Sequence, residues 1–130
     1  MKKILIIAAH PDDVELGMGG TVSKLSKNND ITLCILCKGN KPGKEYVENK
    51  RLKALHKNIK TLGIKNIYMN SFNDVSLDTV PHIELTSYLN EIINKVKPQI
   101  VFTNHENDVH IDHYTLSKAE PFICIYKKDI

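Results

Sequence analysis

Residues Lys3 to Ala9 form a continuous apolar run behind a lysine pair, and its length and β-branched content suit a strand buried on both faces. Such a strand belongs at the centre of a parallel sheet, with helices packed above and below it. The rest of the chain supplies the partners. Gly20 to Lys27 reads as a short helix after a polar loop, and Ile31 to Cys37 as a second buried strand. The loop Lys38 to Lys44 carries Gly39, Pro42 and Gly43. From Glu45 to Leu62, the spacing of Leu52, Leu55, Ile59 and Leu62 marks one face of an amphipathic helix that Gly63 closes. A short strand is expected at Ile67 to Met69. Pro81 suits the first turn of another helix, whose buried stripe is Leu85, Leu89, Ile92, Ile93 and Val96 and which Lys97 and Pro98 end. A strand at Gln99 to Thr103 follows. This alternation predicts an α/β fold: a parallel sheet covered by helices on both faces, with ligands outside the carboxyl ends of its strands.

A chain of 130 residues fits one compact domain over residues 1–130. Its formal charge of +3 is mild, and the lysines are scattered without an aromatic-interleaved basic stripe, so nucleic acid is not an expected partner. MKKILIIAA has the outline of a signal peptide, but the apolar run stops at HPDDVE, and a buried first strand explains it better. No apolar segment approaches the roughly 20 residues that cross a bilayer. Cys34 and Cys37 lie in the expected strand ITLCILC, where residues three apart point to opposite faces. They read as reduced, buried thiols of a cytoplasmic protein, not as a turn-borne metal pair.

The chemistry gathers at two strand ends. The first strand runs into His10, Pro11, Asp12 and Asp13, an imidazole and two carboxylates that need water, a cation or several donors. After the strand QIVFTN come His105, Asp108, His110, Asp112 and His113, placing three of the six histidines within nine residues. Two histidines and one carboxylate with an open position are the ligand set of many hydrolytic zinc sites. Such a site activates water and needs a nearby carboxylate that is not a ligand to take the proton, and adjacent Asp12 and Asp13 supply both kinds of acid. The remaining imidazole, His110, is suited to protonating a leaving amine or stabilising an oxyanion. Asp112 is suited to fixing a histidine tautomer.

AHPDDVELGMGG, followed about ninety residues later by NDVHIDH, resembles the LmbE/PIG-L family of zinc-dependent deacetylases. The resemblance implies a Rossmann-like parallel sheet and a zinc ion held by His10, Asp13 and His113. It implies Asp12 as general base and His110 as the group that assists the leaving group or oxyanion. The implied substrate is an N-acetylglucosamine-type sugar or its conjugate, from which the acetyl group is removed. Arg51, the one arginine beside seventeen lysines, is placed by the resemblance where the family contacts substrate hydroxyl or phosphate groups. Leu52 and Lys53 stand where the family commonly has glutamates.

Gly19 and Gly20 match the family pattern as shape, and GMGG is not a dinucleotide fingerprint. His56 and His82 read as surface residues on helices, and His105 as an outer member of the site. The resemblance ends near Ala119, and Pro121 stops the last helix early. Three expectations follow: a small active deacetylase, a truncated zinc-binding homologue of little activity, or a cleft completed in a homo-oligomer. A non-catalytic nucleotide- or ligand-binding module on the same fold is the alternative, and it needs no metal.

Overall fold

The computed structural model describes residues 1–39 and 43–119. Four strands, β1 (Lys3–Ala8), β2 (Asp30–Cys37), β3 (Asn66–Phe72) and β4 (Ile100–Phe102), form one sheet in the order β3, β2, β1, β4. Every pairing is parallel. Each strand is followed by a helix: α1 (Asp13–Leu25), α2 (Glu45–Leu62), α3 (His82–Val96) and α4 (Ile111–Ala119). A 3-10 turn, Leu77–Thr79, precedes α3.

β1 is central, and Ile4 to Ala8 are each no more than 2% exposed. Alternation along the strands divides the core in two. Leu5, Ile7, Cys34 and Leu36 pack with Leu85, Leu89 and Ile92 of α3 and Leu116 of α4. Ile4, Ile6, Leu33 and Ile35 pack with Val14 and Val22 of α1 and Leu55 of α2, flanked by Leu52, Ile59 and Leu62. Each such aliphatic side chain stabilises the fold by roughly 1.5–3 kcal/mol. Gly63 caps α2 at φ +73°, and a Cβ there would lie 2.7 Å from Ser26 Oγ.

Several expectations are corrected. The first helix starts at Asp13, not Gly20, so the polar HPDDVE segment is itself the helix start. Asp13 and Glu15 occupy the first turn, where unpaired N–H groups and the helix dipole favour negative charge. The glycines around Met18 leave a kink instead of a boundary, with Met18 at φ −148° and ψ 21°. Pro81 is the N-cap of α3, one position outside the helix. β3 is longer, and β4 shorter, than the patterning indicated. A register shift between Ile35 and Cys37 places Cys37 in the same core half as Cys34, not on the opposite face. Both remain buried thiols outside any disulfide. The tail beyond Ala119, with its expected stop at Pro121, lies outside the described residues.

The strand order explains where a site can form. From β1 the chain moves outward through β2 and β3, then crosses to the other side of β1 to make β4. Connections leaving β1 and β4 diverge and open a crevice at their carboxyl ends. Both histidine motifs enter it. No described helix is long and apolar enough to cross a membrane.

Candidate metal centre

His10 is buried just beyond β1, and main-chain bonds fix its surroundings. Its N–H donates to Asp13 Oδ2 at 2.9 Å, while the Ala9 N–H donates to Asn104 Oδ1 at 3.2 Å. These two bonds tie the end of β1 to the start of α1 and to the loop after β4. Side chains from both motifs then converge. His10 Nδ1 lies 3.2 Å from His113 Nε2, His113 Nε2 lies 3.2 Å from Asp13 Oδ1, and His10 Nδ1 lies 3.7 Å from Asp13 Oδ2.

The outer ring nitrogens decide what those inner ones present. His10 Nε2 is 2.8 Å from Asp112 Oδ2, and His113 Nδ1 is 2.9 Å from Asp108 Oδ2. An ionised carboxylate only accepts, so His10 Nε2 and His113 Nδ1 carry the hydrogens. The neutral rings therefore turn bare lone pairs toward each other and toward Asp13. Asp13 Oδ2 accepts from the His10 N–H and Asn104 Nδ2, but Oδ1 and the two ring lone pairs face one another with no hydrogen between them, which calls for a cation, either a proton or a metal ion. In a metal-free chain a proton on His10 would serve. Burial alone would lower the His10 pKa, but its contacts with Asp13 and Asp112 outweigh burial and raise it to about 9. Burial would likewise raise Asp13, and its bonds with His10 and the His113 charge hold it below the usual carboxylate range.

The same atoms suit a metal. Tetrahedral zinc with ligand bonds of about 2.0–2.1 Å sets its donors about 3.3 Å apart. The observed separations run from 3.2 to 3.7 Å, with His113 measured to Asp13 Oδ1 and His10 to Asp13 Oδ2. Imidazoles oriented by carboxylates are the usual support of such ligands. His110 also brings a ring nitrogen within reach of one ion shared with His10 and His113. Its Nδ1, however, accepts the Asp112 N–H at 3.1 Å, which leaves the hydrogen on Nε2. Coordination through Nε2 would break that bond, so His110 is better placed as a donor. Its ring stacks on His113 with centroids 4.6 Å apart.

Asp112 is 0% exposed and fully met by donors. The Val75 N–H reaches Oδ2 at 2.6 Å, the Leu77 N–H reaches Oδ1 at 3.0 Å, and Cys37 Sγ lies 3.9 Å from Oδ2. Burial would raise its pKa, but the Leu77 N–H, His10 and the Val75 N–H together lower it. Burial, then the Asp112 and Asp74 charges, push the Cys37 thiol up, so it stays a neutral S–H donor. Asp12, by contrast, is exposed and makes no side-chain cap bond at the start of α1.

His10, Cys37 and Asp74 form a second cluster within reach of one ion. Its polar atoms are already engaged. His10 Nε2 donates to Asp112, and Asp74 accepts from the Gly39 N–H at 3.1 Å and Arg51 Nη1 at 3.2 Å. We therefore read this side as a hydrogen-bond network. Arg51 Nη1 also donates to the Gly39 carbonyl at 2.8 Å, and the side chain is 46% exposed. Gly39, at φ +84°, lies so near the HPDD turn that a Cβ would come 2.9 Å from Pro11 Cγ.

His105 is exposed, accepts the Asn107 N–H within its own turn and lines the cleft that Asp13 also faces. His56 and His82 are exposed on α2 and α3, as expected. Sequence reasoning passed over Asp74, Cys37 and the part played by Asn104, and it gave Asp108 no role. The available signal for Asp74 was its position just beyond β3, at the same sheet edge. A cleft of about 320 Å³ opens beside the centre, lined by Asp13, Gly17, Met18, Thr103, Asn104 and Asp108 among others.

The pattern of the family described as PIG-L, GlcNAc-PI de-N-acetylase, matches residues 5–121. The uncharacterized deacetylase YaiS of Escherichia coli is 27% identical over 132 aligned positions, covering 95% of this chain and 68% of that protein. The diacetylchitobiose deacetylase of Thermococcus kodakarensis is 31% identical over 108 positions, covering 78% of this chain and 40% of that protein. Among solved structures, the N,N'-diacetylchitobiose deacetylase from Pyrococcus horikoshii, complexed with its inhibitor MPG, matches with a TM-score of 0.84 at 26% identity. That match covers 98% of this chain and 51% of the other. These matches thus span between 40% and 68% of the relatives' own lengths.

Proposed function

The chain belongs to the PIG-L family, and on that premise we propose that it is a metal-dependent hydrolase that removes an N-acetyl group from an amino sugar or its conjugate. The observation that carries this reading is the meeting of three acceptors, His10 Nδ1, His113 Nε2 and Asp13, with no donor among them. These would hold zinc. When bound, zinc supplies a Lewis acid that polarises the amide carbonyl and makes water easier to deprotonate.

The chain's own residues supply the rest. Asp12, exposed and without a cap bond, takes a proton from the attacking water. The water oxygen bonds to the acetyl carbon, the C–N bond breaks, and Asp12 returns the proton to the departing nitrogen. Acetate and a free amine result. His110, with its hydrogen on Nε2, donates to the oxygen on which negative charge develops. Asp112 holds the His10 ring. Arg51 spends one nitrogen on Gly39 and Asp74, and its half-exposed guanidinium offers further donors to substrate hydroxyl or phosphate groups. The relatives named for diacetylchitobiose make short N-acetylglucosamine oligomers the first substrates to try. Two buried thiols suit a reducing cytoplasm.

A second reading, zinc binding with little turnover, is favoured by the position of β4. Among the described residues β4 pairs only with β1, and the cleft beside Asp13 is lined by the end of β1 and the loop that follows β4. One experiment separates the readings: metal content of the purified chain, together with acetate release from N-acetylglucosamine and diacetylchitobiose. About one zinc per chain with product supports the deacetylase. Zinc without product favours the second reading. Absence of metal affinity removes both and leaves a binding module.

A further inference from the structure

We infer that the turn 74–77 is the positioning element of the metal centre: its two main-chain N–H groups hold Asp112, and through Asp112 they set the ring of His10. The inference rests on the proposed ligand set and adds residues to it that lie outside both histidine motifs.

The geometry runs in one line. Val75 N–H and Leu77 N–H meet opposite oxygens of Asp112 at 2.6 and 3.0 Å, so the carboxylate cannot rotate without losing one of them. Its Oδ2 is then aimed at His10 Nε2, 2.8 Å away. That contact keeps the hydrogen on Nε2 and the Nδ1 lone pair turned toward Asp13 and His113. Pointing N–H groups two residues apart at one anion needs an unusual backbone. Val75 has it, at φ +56°, a left-handed conformation that β-branched residues rarely adopt.

The Val75 side chain does not account for that conformation, because it is 53% exposed. The turn is imposed from its two ends. Asp74 is pinned by Arg51 Nη1 and the Gly39 N–H, and Leu77, fully buried, begins the 3-10 turn. Ser76 Oγ adds a bond to the Asn73 carbonyl at 2.6 Å. Arg51 thus acts on the metal centre at a distance, and Asp74, whose carboxylate lies within 4.8 Å of a His10 ring nitrogen, anchors the turn from beside it. A residue tolerated in a strained conformation, with its N–H directed at a buried carboxylate behind a ligand, marks a position held for the site.

The test is zinc affinity by chelator competition, with the visible spectrum of the cobalt(II)-substituted chain as a second readout. Val75→Gly keeps the N–H and accepts the left-handed conformation, so its zinc affinity should stay within about threefold of wild type. Val75→Pro removes the N–H and cannot take a positive φ. It should bind zinc about 10- to 100-fold more weakly and shift the cobalt spectrum. Should the proline variant fail to fold, Asp74→Ala releases the anchor while leaving every donor to Asp112 in the chain. It should weaken zinc by about tenfold. Wild-type affinity and an unchanged cobalt spectrum in the folded variant, Val75→Pro or failing that Asp74→Ala, would reduce the turn to a structural role and overturn the inference. A wild-type chain with no zinc affinity would instead remove the ligand set itself, and the inference with it.

Discussion

His10 leans on Asp112, a carboxylate with no exposed surface whose oxygens are met by two main-chain N–H groups. His113 leans on Asp108, whose side chain is 32% exposed and whose second oxygen accepts the His110 N–H. The two pairs share one chemistry in opposite settings. Burial and a fixed backbone leave the His10 ring a single orientation, whereas the His113 pair sits on the first turn of α4 and the loop before it, where solvent competes for the carboxylate. The difference teaches how the proposed centre would divide its work: the buried half would hold geometry, and the solvent-facing half would meet substrate.

The largest expected effects would break that division outright. Asp12→Ala should lower turnover by about 10²- to 10⁴-fold while leaving one zinc per chain, because the proposed base is exposed and is not among the proposed ligands. His113→Ala should lose the zinc itself. Metal analysis and acetate release on the same preparations check both, and the reverse pattern would mean that base and ligand have been exchanged.

The sharper test compares the two supporting carboxylates. Asp112→Asn leaves a buried amide facing two N–H groups and an imidazole, and zinc affinity should fall about 10- to 100-fold. Asp108→Asn alters a carboxylate that water already reaches, and its loss should stay under about tenfold. Chelator competition on both variants reads the order directly. Equal losses would show that burial does not separate the halves.

The same division governs what the sequence reveals. Periodic elements were legible: β1 and β2 as apolar runs, and α2 and α3 as stripes of Leu and Ile at helical spacing. HPDD and HIDH are compact motifs at strand ends, so their meeting was legible as well. The support behind them was not. Val75 and Leu77 act through main-chain N–H groups that any residue but proline possesses, and a valine gives no warning of a left-handed backbone. Cys37 reaches Asp112 because of an irregularity in β2, which overrides the alternation that the strand pattern implies. Arg51 was expected at the substrate, yet one of its nitrogens binds Gly39 and Asp74, a tertiary contact without local spacing to announce it. The start of α1 was placed late because GMGG resembles a turn, while the acidic first turn that stabilises it resembles a loop.

The smallest effect is a pH dependence of the metal-free chain, and its sign follows from the buried half. His10 has its pKa raised from 6.5 to about 9 against the pull of burial, through its bonds with Asp13 and Asp112. A raised folded-state value contributes stability in full below the unfolded value and loses it as pH climbs through the folded one. The metal-free chain should therefore weaken between about pH 6.5 and 9, by a few kcal/mol at most. Asp13 and Asp112 are lowered, so their contribution is present above their ordinary range and disappears as pH falls through the folded values. Stability should peak on the acid side of neutrality. Zinc inverts this, since the ligand set must release the His10 proton before it coordinates, and affinity should keep rising with pH up to about 9. Denaturation midpoints with a chelator present, and calorimetry in buffers of different ionisation heat, measure the two sides. A metal-free stability flat from pH 6.5 to 9, with no proton released near neutrality, would mean that the proton does not occupy the position assigned to the metal.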